Sequence, residues 1–326
     1  MRNIAVIGSG YWGKNLVRNF YNLKTLHTVC DLDRNKEREI RQKYLGVEFT
    51  TSCKEVFDSP KIKAVAIAAP AATHFSLVKE ALLHGKDVFV EKPLALRFKE
   101  GEELVRLAEK KKRILMVDHL LQYHPAIIKL KKMISKGELG AIQYIYSNRL
   151  NIGKFRREEN ILWSFAPHDI SVILALVGKA PIEVDAFGET YLQKNINIYD
   201  TTLTTLIFRN RLKAHIFVNW LHPFKEQKLV VIGAKNMAVF DDQREDKLVL
   251  FPHKVKWMHG IPIASKAPYK VVKIGSEEPL KKACRHFMNC VKMRKTPLTD
   301  GEEALKVLRV LSYAQDKLEK NSNEKR

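Results

Sequence analysis

Asn3-Ile4-Ala5-Val6-Ile7-Gly8-Ser9-Gly10-Tyr11-Trp12-Gly13 stands near the start of the chain, and its order of residue types decides the fold. An apolar strand runs into a G-x-G-x-x-G, which opens a helical stretch from Gly13 to Leu23. Glycine pairs are common in turns; the strand before and the helix after are what give this one meaning. Glycines there permit a tight turn and let backbone N–H groups meet a pyrophosphate at a helix N-terminus. Gly8, Gly10, Tyr11, Trp12 and Gly13 are therefore candidate dinucleotide-binding residues. Asp31 ends the next strand, where an acidic side chain accepts the hydroxyls of an adenosine ribose and repels a 2′-phosphate, favouring NAD over NADP. The alternative is that Asp31 caps the helix of Arg34 to Tyr44, and Arg34 itself lessens the preference for NAD.

Outward from this stretch, apolar strands alternate with helical patterns as far as His119. Asn3 to Ile7, Thr28 to Cys30, Ala64 to Ala69, Val88 to Val90 and Ile114 to Val117 are short runs rich in β-branched residues. Thr73 is a candidate N-cap for a helix through Leu83 that Gly85 would close, and Arg97 to Lys112 carries Leu104, Leu107 and Ala108 at helical spacing. Parallel neighbours cannot be joined by tight turns, so strands alternating with helices predict a doubly wound α/β domain.

The second half changes period. Ile142 to Ser147, Ile182 to Thr190, Thr202 to Phe208, Leu212 to Trp220, Leu229 to Ile232, Leu248 to Phe251 and Val271 to Ile274 read as strands with few helices between them, and Arg209 to Arg211 marks a hairpin turn. An antiparallel sheet is expected. Two helices close the chain, the last started by a capping-box pattern of Asp300 and Glu303. The change of period places the boundary near Asp118 to Gln122, giving domains of residues 1–119 and 120–326.

The 326 residues suit two domains, and 45% hydrophobic with 29% charged residues is ordinary for a globular chain. No apolar run is long enough to span a bilayer, and the first strand leaves no room for a signal peptide, so a cytoplasmic protein with no membrane partner is expected. Four cysteines without a C-x-x-C pair argue against a disulfide framework or zinc ribbon. His119 and His124 are five apart, which does not align them on one helix face, so no metal site is expected. The net charge of +21 directs attention to polyanions. The basic residues are spread along the chain without aromatic interleaving, which argues against nucleic acid. Phosphate-bearing small molecules gain from the same field, and an adaptation to solubility or heat needs no partner.

Glu91-Lys92-Pro93 leaves the apolar run Val88 to Val90 at the edge where open α/β sheets bind ligands, and a proline there admits a cis bond. Ala69-Pro70 and His74 would wall the same crevice. Together with the G-x-G-x-x-G, the A-P-x-x-x-H stretch from Ala69 to His74, the Gly137 to Gly140 turn and a His-containing helix in the second half, these residues resemble the Gfo/Idh/MocA family of NAD(P)-dependent sugar oxidoreductases. The resemblance runs nearly end to end. It implies an N-terminal Rossmann domain, a C-terminal α+β domain with a large, open, mostly antiparallel sheet, and a homo-oligomer, dimer or tetramer, formed by packing those sheets together. It also implies that the last helix returns to the first domain.

The family's catalytic pattern is an Asp four residues before a His, faced by the Lys of the E-K-P triplet. In Trp163-Ser164-Phe165-Ala166-Pro167-His168-Asp169 the His is His168, but the Asp position holds Ser164. Either Lys92 and His168 suffice, or Asp169 takes over the orienting role, or activity has been lost; a neutral His accepts a hydroxyl proton unaided. Alternatively, His168 is a satisfied structural histidine. The stretch Arg149 to Ile170, with Gly153, Arg156, Glu159 and Asn160, and the stretch Asn219 to Lys225 resemble the branch that oxidises the C3 hydroxyl of UDP-N-acetylglucosamine or its uronic acid. Arg156, Asn160, Ser164, His168, Asp169 and Lys225 are then expected around the nucleotide sugar. A free sugar or polyol such as inositol is the alternative substrate, and a non-catalytic NAD or nucleotide-binding module is the alternative to an enzyme.

Overall fold

The computed structural model describes residues 2–153, 155–193 and 198–323. The described chain divides into two compact units: one runs to Tyr123 and adds Glu277–Leu308, and the other comprises His124–Ser276 and the chain from Arg309 on.

Six strands build the first unit: β1 (Ile4–Ile7), β2 (Leu26–Cys30), β3 (Glu48–Thr50), β4 (Ala64–Ile67), β5 (Asp87–Val90) and β6 (Leu115–Val117). They pair in parallel in the order β3-β2-β1-β4-β5-β6, the order of a doubly wound dinucleotide-binding sheet. The crossovers are α1 (Gly13–Asn22), α2 (Lys36–Lys43), α3 (Cys53–Asp58), α4 (His74–Leu83) and α5 (Phe98–Lys110). All four residues of β1, β4 and β5 are buried, as strands covered on both faces require. β3 and α3 escape the sequence reading because three residues at a sheet edge carry no periodicity; the Glu91-Lys92-Pro93 turn consequently follows the fifth strand. Thr73 does not cap α4 through its side chain: a 3-10 turn over Ala71–Thr73 leads in, and Thr73 Oγ1 donates to Pro70 O at 2.8 Å.

The core of this unit is completed from far along the chain. α8 (Pro279–Met293) places Leu280, Ala283, Cys284 and Phe287 in one cluster with Leu16, Phe20, Val29 and Phe89. The start of α9 (Gly301–Asn323) belongs here too. Asp300 Oδ1 accepts the Glu303 N–H at 2.8 Å, half of the expected capping box. The Glu303 carboxylate bonds His119 Nδ1 and accepts from Gln122 Nε2 at 2.6 Å.

In the second unit, α6 (Pro125–Ser135) and α7 (Ile161–Val177) accompany an eight-stranded sheet. Its strands are β7 (Ile142–Ile152), β8 (Glu183–Glu189), β9 (Thr201–Ile207), β10 (Lys213–Asn219), β11 (Leu221–Gly233), β12 (Met237–Asp241), β13 (Leu248–Phe251) and β16 (Lys270–Val271). The order is β16-β13-β12-β11-β7-β10-β9-β8, antiparallel throughout except between β7 and β10. A separate hairpin, β14 (Lys254–Met258) and β15 (Ile261–Ser265), leaves the sheet edge between β13 and β16. Alternation divides the sheet faces. Ile145, Ala214, Ile216 and Val218 are buried on the side of α7, whereas Phe187, Leu203 and Phe217 lie in register on the open side.

Candidate active site

The glycine turn is shaped by its neighbours. Gly8 has φ +87°, and a Cβ there would come within 2.7 Å of Ala68 O; a Cβ on Gly13 would meet Gly8 O at 2.1 Å. Gly10 differs, because a Cβ there meets nothing within 4 Å. Its bare backbone faces open space at the head of α1, whose first turn has no acidic residue. This is the cradle a pyrophosphate needs, and it fits a dinucleotide.

Asp31 lies just beyond β2, against the same turn. Its Oδ2 accepts from Ser9 N and Ser9 Oγ, both at 2.7 Å, and from Lys36 Nζ at 2.8 Å, while Oδ1 accepts the Asp33 N–H at 3.0 Å. Burial alone would raise its pKa; the bonds from Lys36 and Ser9 outweigh that and hold it down at about 2. Sequence reasoning placed Asp31 here but missed Ser9, an unspecified x of the motif, as its partner. Lys36 also lines a cavity of about 590 Å³ with Gly10, Lys14, Arg18 and Lys43.

Parallel register sets the next group. Val90 pairs with Val117, so the residues that follow, Glu91 and Asp118, emerge side by side from β5 and β6. Glu91 accepts from Trp12 Nε1, tying the glycine turn to the strand ends. Both carboxyls are buried, and burial raises both pKa values: Glu91 well above the usual carboxylate range, Asp118 to about 6. Two such groups facing each other in a dry site retain a proton between them at neutral pH. Lys92, half-buried, follows Glu91 and is joined to Pro93 by a cis peptide. His74 is a strut: its Nδ1 lies 2.7 Å from Pro93 O and its Nε2 2.9 Å from Ala69 O, and burial lowers its pKa. Ala69 and Pro70 thus border the Lys92 turn through His74. Asp118 was legible only as a boundary residue, since nothing local marks a carboxyl whose partner is 27 residues away.

In the second unit, Asn160 caps α7 by accepting the Trp163 N–H at 3.3 Å and donates to Gln315 at 2.9 Å. Ser164, buried, and His168, half-buried, are four residues apart and so share one face of α7. Asp169 is buried and taken up elsewhere: Arg149 donates from Nε at 2.6 Å and from its terminal nitrogen at 3.2 Å, and Ser147 Oγ donates at 2.6 Å. Arg156 stands 3.6 Å from Glu158 and 3.5 Å from Glu159. Lys225 is exposed on β11 where its register against β7 breaks between Leu221 and Glu226, a bulge of the kind that re-aims side chains beside binding sites. Among the described residues no group of His, Cys, Asp and Glu is gathered for a metal ion.

Residues 2–119 match the oxidoreductase family, NAD-binding Rossmann fold, and residues 127–239 match the GFO/IDH/MocA C-terminal domain. The chain belongs to the Gfo/Idh/MocA family. Among this family member's relatives is a 2,7-anhydro-N-acetylneuraminate hydratase of Mediterraneibacter gnavus, 27% identical over 56% of the chain and 51% of the relative. The UDP-N-acetylglucosamine 3-dehydrogenase of Acidithiobacillus ferrooxidans is 26% identical over 56% of the chain and 57% of that protein. The matched segments thus span little more than half the length of these two relatives. The solved structure of the same dehydrogenase superposes with a TM-score of 0.84 at 21% identity, covering 97% of each chain. A scyllo-inositol 2-dehydrogenase (NAD(+)) of Bacillus subtilis is 24% identical over 92% of the chain and 89% of its own length.

Proposed function

We propose that this family member is an NAD-dependent dehydrogenase that oxidises the C3 hydroxyl of a nucleotide-activated amino sugar, UDP-N-acetylglucosamine or its uronic acid. The observation that carries the dehydrogenase reading is the open backbone of Gly10 beside an ionised Asp31, a pyrophosphate cradle next to a ribose acceptor. NAD, when bound, supplies the hydride acceptor. Gly8, Gly10, Tyr11, Trp12 and Gly13 would hold its phosphates and Asp31 its adenosine ribose, and residues 1–119, with Glu277–Leu308 completing their core, would form the cofactor-binding domain. The rest of the stretch from residue 120 on, chiefly His124–Ser276, would bind the sugar and build the oligomer.

In this mechanism His168 takes the C3 hydroxyl proton as general base, and the Lys92 ammonium donates a hydrogen bond to the oxygen as negative charge develops there. Asp169 is held by Arg149 and Ser147, which supports a reading in which His168 does not depend on that carboxylate for its orientation. Lys225 suits the diphosphate as an exposed point charge, whereas Arg156 must leave Glu158 and Glu159 to share in it. The UDP-sugar reading is supported by the Acidithiobacillus relative and by the +21 charge. A free polyol is the second reading, favoured by the inositol dehydrogenase that aligns with 92% of the chain.

The test is incubation with NAD and, separately, UDP-N-acetylglucosamine, its uronic acid, UDP-glucose and inositol, with products identified by mass spectrometry and NMR. 2-Oxoglutarate is added if turnover stops after one equivalent. The expected product is the 3-keto UDP-sugar. Oxidation of inositol alone replaces the substrate and keeps the dehydrogenase; NAD binding without any product replaces both.

The open sheet face carrying Phe187, Leu203 and Phe217 is the surface we assign to self-association, because these large apolar side chains stand in cross-strand register there, with Phe187 and Leu203 exposed.

A further inference from the structure

The β14–β15 hairpin is exposed along nearly its whole length, and its residues are graded from tip to base. At the tip, Trp257 and Met258 precede the His259–Gly260 turn, and Ile261 and Pro262 follow it. Trp257 is 71% exposed and Ile261 62%. Trp257 pairs across the ladder with Pro262, and Met258 with Ile261, so the tip is apolar on both faces. Toward the base the character reverses. Lys254, Lys256, Lys266, Lys270 and Lys273 are the charged residues of the whole stretch Leu248 to Ser276, which contains no Asp or Glu. Two strands alone are at best marginally stable in water, so an exposed hairpin of this composition is made for a partner.

We propose that this hairpin enters the surface of an anionic lipid bilayer tip first, with the lysines of its base meeting the headgroups. A protein partner would cover one face of the ladder, and protein interfaces are poor in lysine; an apolar tip on both faces above a lysine collar matches neither condition. A lipid interface rewards both, since Trp and aliphatic side chains settle at the headgroup boundary and each nearby lysine gains from the anionic surface. A second copy of the chain would bring five more lysines against these five. Nucleic acid would use the lysines and leave Met258 and Ile261 without a role. The association is peripheral: among the described residues no helix is long and apolar enough to cross a membrane.

The test uses the full chain in flotation with vesicles of phosphatidylcholine alone or with phosphatidylglycerol. Binding is expected only to the anionic vesicles. Trp257→Ser should weaken it about tenfold. Lys254→Gln with Lys256→Gln should weaken it about 25-fold, each lysine contributing about fivefold. Lys131→Gln with Lys132→Gln, an equal loss of charge on the exposed side of α6, should change it less than twofold; an equal effect there would mean that the net charge of the molecule, and not the hairpin, drives binding, and the proposal falls. It falls equally if no vesicle is bound, if Trp257→Ser abolishes a lipid-free self-association seen by sedimentation velocity, or if the hairpin variants lose binding to a DNA duplex while the parent ignores vesicles.

Discussion

Asp31 is set between two demands. The proposed role as ribose acceptor calls for an ionised carboxylate, and the bonds from Ser9 and Lys36 hold Asp31 in that state. Asp31→Ala removes the carboxylate and also releases the Lys36 ammonium toward the space a 2′-phosphate would fill. NADP affinity should therefore rise, and the preference for NAD should shrink or reverse; titration of the apo protein with each nucleotide measures it. Lys92→Met and His168→Ala should each lower kcat by about 10²–10⁴ with NAD affinity nearly unchanged, read from steady-state kinetics and calorimetry. Asp118 offers a test in pH. Its folded pKa of about 6 lies above its ordinary 3.8, so the folded chain holds the proton more tightly than the unfolded one. The contribution of Asp118 to stability is then greatest below about pH 4 and declines as pH rises toward 6. Asp118→Asn cannot ionise and should flatten that slope, with a gain on the order of 2 kcal/mol at pH 7 in urea unfolding. The glycines, Asp31 and Lys92 were legible because each has a fixed offset from a strand end. Ser9, Asp118 and Arg149 were not, since what defines them is a partner distant in the chain.

At the scale of elements, α7 rests on an ion pair that no period reveals. Arg149 on β7 and Asp169 on α7 are both buried, and the pair fixes the helix that carries Ser164 and His168. Arg149→Met would leave a buried carboxylate facing an apolar chain and should cost about 3–5 kcal/mol in thermal or urea unfolding. Asp169→Asn, which keeps the shape, should cost less and would show whether the orientation of α7 needs the charge. Periodicity recovered the long strands of the sheet and the Arg209–Arg211 turn, where Asn210 adopts φ +61°. It missed β12, β14 and β15. A five-residue strand following directly on β11, and a hairpin whose apolar residues point to both sides, offer no clean alternation to read.

For the whole molecule, the open sheet face predicts association. Phe217→Lys with Leu203→Lys should shift sedimentation velocity toward the monomer while leaving the far-ultraviolet spectrum intact, because both side chains lie on the open face. The fold class was readable from the switch in period near residue 120; the return of α8 into the first core was not, because an amphipathic helix does not say which core its face will join. That return also sets an order of events in the cell. The ribosome finishes β6 some 160 residues before it reaches α8. At about 5–20 residues per second the interval is about 10–30 s. Throughout it, the nascent sheet lacks Leu280, Cys284 and Phe287, and Phe20 and Phe89 stay without the aromatic neighbour that completes their cluster. The first unit to be made is thus among the last to close, and a chain stopped at Ser276 should require a chaperone to remain soluble.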